Sequence, residues 1–212
     1  MKTDDLIKLL VADGPRPTVD TSRNVLWASA LGALTAAVLL TFAIGARGDF
    51  KVAMYEWRFV AKFVVAAALV VAMSRAVLML SRPDVTARRA LMLVALPVGL
   101  LALALVGEMA AQPLATWSEW AMGTNFLVCL VTIPMLAVGP LVALLWVLRS
   151  SAPQSPQLLG GVAGALAGGI GAFFYAAHCT DDSPMFVAIW YTLAILILAS
   201  IGALIGRRVL AW

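Results

Sequence analysis

The chain has 212 residues, of which 63% are hydrophobic and 12% charged, with a formal net charge of +4. A soluble domain carries about 45–50% apolar and ~25% charged residues, so this composition excludes a large soluble domain. Lys and Arg flank apolar blocks instead of gathering on one surface, which argues against direct nucleic acid binding, and two cysteines are too few for a disulfide scaffold.

The first 24 residues are polar and run straight into a full-length apolar span, which is not the build of a secretory signal. Within them, Thr3–Ala12 reads as a short amphipathic helix. Thr3 is a fair N-cap, Asp4 and Asp5 sit where the helix dipole favours negative charge, and Leu6, Ile7, Leu10 and Val11 fall on one side. Asp13-Gly14-Pro15 ends it, and Pro15-x-Pro17 begins an extended linker. Ten residues are marginal as an isolated helix, so the apolar stripe needs a surface. Asp4, Asp5 and Asp13 outnumber Lys2 and Lys8 and disfavour an anionic leaflet. A protein groove suits the segment better, and docking on the chain's own bundle is the plainer alternative.

Six apolar stretches follow, each near the ~20 residues a helix needs to cross the hydrocarbon core: 25–44, 59–80, 90–107, 125–148, 158–177 and 186–205. Helix is required, because backbone groups in lipid must be satisfied within the segment. The expected architecture is all-α, a bundle of six transmembrane helices (25–212) behind a short cytoplasmic segment (1–24). Orientation follows from the basic residues. With the N-terminus cytoplasmic, the inner segments hold Lys2, Lys8, Arg16, Arg23, Arg82, Arg88, Arg89, Arg149, Arg207 and Arg208, and the outer loops only Arg47, Lys51 and Arg58. Both termini are then cytoplasmic.

Lys62 and Arg75 lie near opposite ends of the second span and are expected to snorkel to the interfaces; a buried partner such as Glu108 is the alternative. Pro97 in the third span, and Pro134 and Pro140 in the fourth, each remove a backbone donor and are expected to kink their helices. Glu108 and Glu119 fall in the loop before the fourth span and make the outer face acidic. Gly160, Gly164 and Gly168 give the fifth span one nearly bare face, and Gly202 and Gly206 repeat the idea in the sixth. Close packing inside the bundle is the expectation, with a homodimer contact as the alternative.

Chemistry is confined to two places. One is the N-terminal segment. The other is the outer face, where Cys129 lies inside the fourth span and Cys179 at the exit of the fifth, in the run His178-Cys179-Thr180-Asp181-Asp182-Ser183-Pro184. Thiol, imidazole and carboxylate together suit a soft or borderline metal, so Cys129, Cys179, His178, Asp181 and Asp182 form a candidate metal-sensing set. Two thiols also form a disulfide if their Cα atoms come within about 7 Å. Against this, Cys129 reads equally as apolar filler and His178 as a marker of the headgroup boundary. No nucleophile–base–orienter arrangement emerges, so no catalytic residue, and no bound cofactor, is expected.

The opening Met1-Lys2-Thr3-Asp4-Asp5-Leu6-Ile7, the six spans, and His178-Cys179-Thr180-Asp181-Asp182-Ser183-Pro184-Met185-Phe186 together resemble the NrsF family of bacterial membrane anti-sigma factors. The resemblance implies an inner-membrane protein that sequesters an extracytoplasmic-function sigma factor. It also implies that Cys129 and Cys179 sense oxidative or thiol-reactive metal stress, through a disulfide or a transiently bound thiophilic metal ion. Asp4, Asp5, Leu6, Ile7, Leu10 and Asp13 are extended from it as candidate sigma-factor contacts. A small transporter or channel, or a thiol-dependent membrane redox protein, is the rival reading.

Overall fold

A computed structural model describes residue 3, residues 21–82 and residues 87–211. Among these residues the chain is all-α, and six helices are long and apolar enough to cross a membrane. They are α1 (Thr21–Ile44), α2 (Trp57–Leu80), α3 (Ala87–Ala111), α4 (Phe126–Leu148), α5 (Pro156–Tyr175) and α6 (Pro184–Val209). The expected N-terminal docking segment, with Asp4, Asp5, Leu6, Ile7, Leu10 and Asp13, lies outside the described residues.

Helix α5 is the axis of the bundle: 72% of its spanning window is buried, against 11% for α3. It packs on α6, α4 and α2, while α1 leans on α4 and α3 on α2. The glycine face explains the central position. A Cβ on Gly160 would strike the Gly202 carbonyl and come 2.8 Å from the Gly206 Cα, and one on Gly164 would come 3.0 Å from the Ala199 Cα. The α5 and α6 backbones thus touch directly, the close approach that supplies helix association where lipid offers no hydrophobic drive. The glycine pattern is used within the chain.

Helix α4 runs unbroken through Pro134 and Pro140. Pro140 also fits against Gly32 of α1, where an added Cβ would sit 2.5 Å from its Cα. In α3 the helix is interrupted at Leu93–Val94, between Ala87–Met92 and Ala95–Ala111. Pro97 has no N–H to offer the Leu93 carbonyl four residues back, which accounts for the break.

Two features depart from the expected spans. Helix α3 continues past Gly107 to Ala111, so Glu108 is not a loop residue; it is fully buried in the helix. Its partner is Arg58, at 2.9 Å. Arg58 in turn stacks on Trp120, 4.8 Å from the ring centroid. The second departure is a pair of π-helical turns, Leu40–Ile44 at the end of α1 and Val187–Tyr191 near the start of α6. Single π-turns often mark functional positions, and both lie at the end of the bundle that carries His178.

Candidate functional site

At that end, the segment between α5 and α6 is held from three sides. The first hold is on α4. Asn125 is the N-cap of α4, but its own side chain caps nothing. The Asp181 carboxylate does so from across the bundle, accepting from the backbone N–H of Asn125 at 2.8 Å and of Thr124 at 3.1 Å. A carboxylate there satisfies orphan donors and faces the positive end of the helix dipole. Asn125 Nδ2 adds donations to Asp181 and Thr180, each at 3.0 Å. Gly123, with φ of +59°, makes the preceding turn, and a Cβ there would lie 2.5 Å from the Phe186 ring.

The second hold is a charge cluster. Lys62 Nζ lies 2.5 Å from Asp182 Oδ1 and donates to the Cys179 carbonyl at 2.8 Å. Arg47 Nη1 donates to Asp182 at 2.8 Å and reaches the same carbonyl at 3.3 Å. Lys62 therefore does not snorkel: its side chain is 1% exposed, and its partner is Asp182, not Glu108. Desolvation is offset because α2 places Lys62 beside a loop that supplies both a carboxylate and a backbone carbonyl. Arg75, by contrast, is exposed. Arg47 also pairs with Asp49 at 2.6 Å. Hydrogen bonding to Asp49 raises the Arg47 guanidinium above its ordinary value, and the same bond lowers the Asp49 carboxyl to about 2.

The third hold is the turn after α1. Gly45, at φ of +82°, ends the π-turn in a conformation side-chain-bearing residues rarely adopt. Its carbonyl lies 2.9 Å from His178 Nδ1, and the Arg47 N–H donates to the Ala177 carbonyl at 3.0 Å. At the start of α6, Ser183 accepts from the Met185 N–H at 3.2 Å and Pro184 occupies the first helical position. This is the helix start that the Ser-Pro pair predicts.

Beneath this clamp lie the two cysteines. Both are free thiols and both are buried. Cys129 belongs to the α4 core, and Cys179, which its polar sequence neighbours and its place at the exit of the span suggest for the surface, is 1% exposed. Its polar neighbours in sequence turn outward to Arg47, Lys62 and α4, while the sulfur turns in. Burial raises the Cys179 thiol above its ordinary value. The sulfur of Cys179 makes one long contact, 3.7 Å to the Asp181 carbonyl. Tyr175 and Tyr191 wall the thiols with rings 5.7 Å apart. Both hydroxyls are buried, and neither completes a hydrogen bond.

Cys179, His178, Asp181 and Asp182 thus meet in one segment, and Cys179 shares one buried core cluster with Cys129. The arrangement is not that of a metal centre: among the described residues no three His, Cys, Asp or Glu side chains are grouped to hold an ion. The imidazole and both carboxylates are turned to protein partners. What it builds is a pair of buried free thiols, sealed by a loop held with charges. Sequence reasoning missed Arg47, Lys62, Asn125 and Tyr191. Lys62 carried the one available signal, a cation inside an apolar span.

No solved structure matches the chain. Over 100% of both chains it is 34% identical to the anti-sigma-F factor NrsF of Caulobacter vibrioides (strain NA1000 / CB15N). It is 33% identical to the probable anti-sigma-F factor NrsF of Azospira oryzae (strain ATCC BAA-33 / DSM 13638 / PS), again over 100% of both. The family NrsF, negative regulator of sigma F, matches residues 10–212. With its six candidate spans and a full-length match to such relatives, the chain belongs to the NrsF family.

Proposed function

We propose that this protein is an anti-sigma factor of the bacterial inner membrane, with both termini cytoplasmic. Residues 1–24 dock an extracytoplasmic-function sigma factor of the sigma F kind, and 25–212 form the membrane domain. The thiols of Cys129 and Cys179 face the outer side and govern release. The observation that carries this reading is the match to anti-sigma-F factors along the whole chain. It favours a regulatory, non-enzymatic role over the transporter and redox-enzyme alternatives.

The sealed thiols give the switch a physical form. A buried, protonated thiol is inert, so the reduced bundle is the quiet state. Reaction with an oxidant or a thiophilic metal ion requires the 178–184 segment to lift, which breaks the Lys62–Asp182 pair and the Asp181 cap. A modified Cys179 no longer fits under the clamp, and the α5–α6 pair carries the change to the cytoplasmic end. Moving a sigma factor from mostly bound to mostly free takes about 5.5 kcal/mol of differential binding. Metal–thiolate or disulfide chemistry operates on that scale. Asp4, Asp5, Leu6, Ile7, Leu10 and Asp13 are the proposed sigma-factor contacts, with the cytoplasmic loop 81–89 as a second contact.

The test is co-purification of the tagged chain with the sigma factor from its host. Deletion of residues 1–20 is expected to abolish capture without preventing membrane insertion. Cys129→Ser with Cys179→Ser is expected to keep capture and lose release by diamide or cadmium ion. Full capture by the truncated chain would reject the docking segment, and normal release from the double variant would reject the thiol switch.

A further inference from the structure

Two buried hydroxyls beside the thiols have no partner. Tyr175 is fully buried and Tyr191 is 3% exposed, and neither phenol completes a hydrogen bond. Buried hydroxyls are normally paired, and a redox role is one of the reasons a structure leaves such a group unpaired. Tyr175 stands one helical turn before Cys179, whose N–H donates to the Tyr175 carbonyl at 3.0 Å, so the two side chains share a face. Tyr191 packs its ring against Tyr175, and both hydroxyls lie toward Cys179. Tyr191 also closes the π-turn Val187–Tyr191 of α6, the kind of irregular turn that collects at functional positions.

The two thiols are not equivalent. Cys129 sits inside the unbroken helix α4, its N–H bonded to the Asn125 carbonyl at 2.8 Å. Cys179 lies past the last turn of α5, in the segment that the Asp181 cap and the Lys62–Asp182 pair hold down. Lifting that segment frees Cys179 and leaves Cys129 in its helix. The sulfur of Cys179 offers the two phenols only a weak acceptor, and its own S–H points to the Asp181 carbonyl at 3.7 Å. An oxygen bonded to that sulfur is a far stronger acceptor, and two donors already stand on its side.

We propose that Cys179 is the thiol that reacts first, with a hydroperoxide, and that Tyr175 and Tyr191 hold the resulting sulfenic acid by donating to its oxygen. The sulfur lone pair takes the distal oxygen of the peroxide. The S–O bond forms, the O–O bond breaks, sulfur loses two electrons, and the thiol proton leaves with the other peroxide oxygen as an alcohol, or as water from hydrogen peroxide. The product is the first, reversible step of cysteine oxidation. The added oxygen stands between the sulfur and the phenols and props the 178–184 segment off its clamp. This inference rests on the thiol-switch reading and deepens it, naming the sulfur that reacts, the product formed and the side chains that hold it.

The experiment treats the full chain in nanodiscs with hydrogen peroxide and captures sulfenic acid with dimedone, mapped by mass spectrometry. Cys129→Ser is expected to give the adduct at Cys179, and Cys179→Ser to give at least tenfold less adduct at Cys129. In the Cys129→Ser chain, catalase then removes the peroxide, and dimedone added at intervals reads the lifetime of the sulfenic acid. Tyr175→Phe and Tyr191→Phe are each expected to shorten that lifetime at least fivefold. The reduced thiol of the same variants is expected to react with N-ethylmaleimide at an unchanged rate, and their melting temperature is expected not to fall, because Phe removes a buried hydroxyl that has no partner. A merely structural role of the tyrosines speeds the maleimide reaction instead. No adduct at Cys179, a comparable adduct at Cys129, a lifetime indifferent to both substitutions, or a shorter lifetime matched by a faster maleimide reaction overturns the proposal. Sigma-factor release does not enter this readout, so its failure is distinct from failure of the thiol switch, which the release assay on the double cysteine variant tests.

Discussion

The Asp181 carboxylate caps a helix to which it does not belong, accepting from the Asn125 N–H at 2.8 Å at the start of α4. One residue earlier in the loop is Thr180, and one before that is the buried Cys179. The bond that completes α4 is therefore also the latch over a thiol. Replacing a capping side chain costs about 1 kcal/mol. Asp181→Ala is expected to lower stability by that order and to expose Cys179. Alkylation by N-ethylmaleimide at pH 8, followed by intact mass, is expected to be slow in the parent chain, where burial keeps the thiol protonated, and at least fivefold faster in the variant. Equal rates would show that the cap does not guard the sulfur.

The Lys62–Asp182 pair makes a sharper claim, because both members are costly to leave alone. Removing one partner of a buried pair typically costs 3–5 kcal/mol, whereas replacing both is far milder. Asp182 is 19% exposed and shares Arg47, so the lower end of that range, about 3 kcal/mol, is expected for Lys62→Met. Combining it with Asp182→Asn is expected to recover part of the loss. Thermal unfolding in detergent micelles measures this, and a double variant as unstable as the sum of the singles would contradict the pairing.

The α5–α6 contact predicts a contrast between neighbouring glycines. Gly164 faces the α6 backbone, with the Leu198 carbonyl carbon 2.9 Å from an added Cβ. Gly161 faces only ordinary contacts, the nearest being Ala203 Cβ at 3.4 Å. Gly161→Ala is expected to change stability by less than about 0.5 kcal/mol, and Gly164→Ala to cost about 1–3 kcal/mol through forced separation of the helices. Comparable melting temperatures for the two would show that the helices do not meet as described.

The Arg47–Asp49 pair sets a pH window. The Asp49 carboxyl falls from 3.8 to about 2 because Arg47 donates to both of its oxygens. A depressed acid contributes fully above its unfolded value and loses that contribution as pH falls through the folded one. The turn after α1 is thus expected to stay closed down to about pH 4 and to loosen as pH falls toward 2. Carboxyl carbon NMR of Asp49 in nanodiscs checks the midpoint, which Arg47→Gln is expected to return toward 3.8. An unchanged midpoint in that variant would contradict the pairing.

The architecture was legible because the bilayer admits few solutions: apolar runs of the right length had to be helices, and glycines at four-residue spacing had to meet another backbone. The Ser183-Pro184 helix start was readable for the same local reason. What could not be read were contacts between distant loops. Nothing local says that Asp181 caps α4 or that Lys62 reaches Asp182, and this is why Cys179 looked exposed beside polar neighbours that in fact turn away from it. Glu108 was misplaced because Gly107 looked like a helix end, while the Arg58 that permits α3 to continue lies 50 residues earlier. The prolines of α4 were read as kinks; the helix continues through both, and Pro140 is also the surface that Gly32 fits.

The account rests on which end of the bundle faces out. In a chain with Cys129→Ser and Cys179→Ser, single cysteines introduced at the exposed positions Tyr55 and Ser150 report on opposite ends. Intact cells treated with a membrane-impermeant maleimide are expected to label Tyr55→Cys and not Ser150→Cys, with both labelled once the cells are opened. Labelling of Ser150→Cys alone in intact cells would place the thiol end in the cytoplasm and contradict the account.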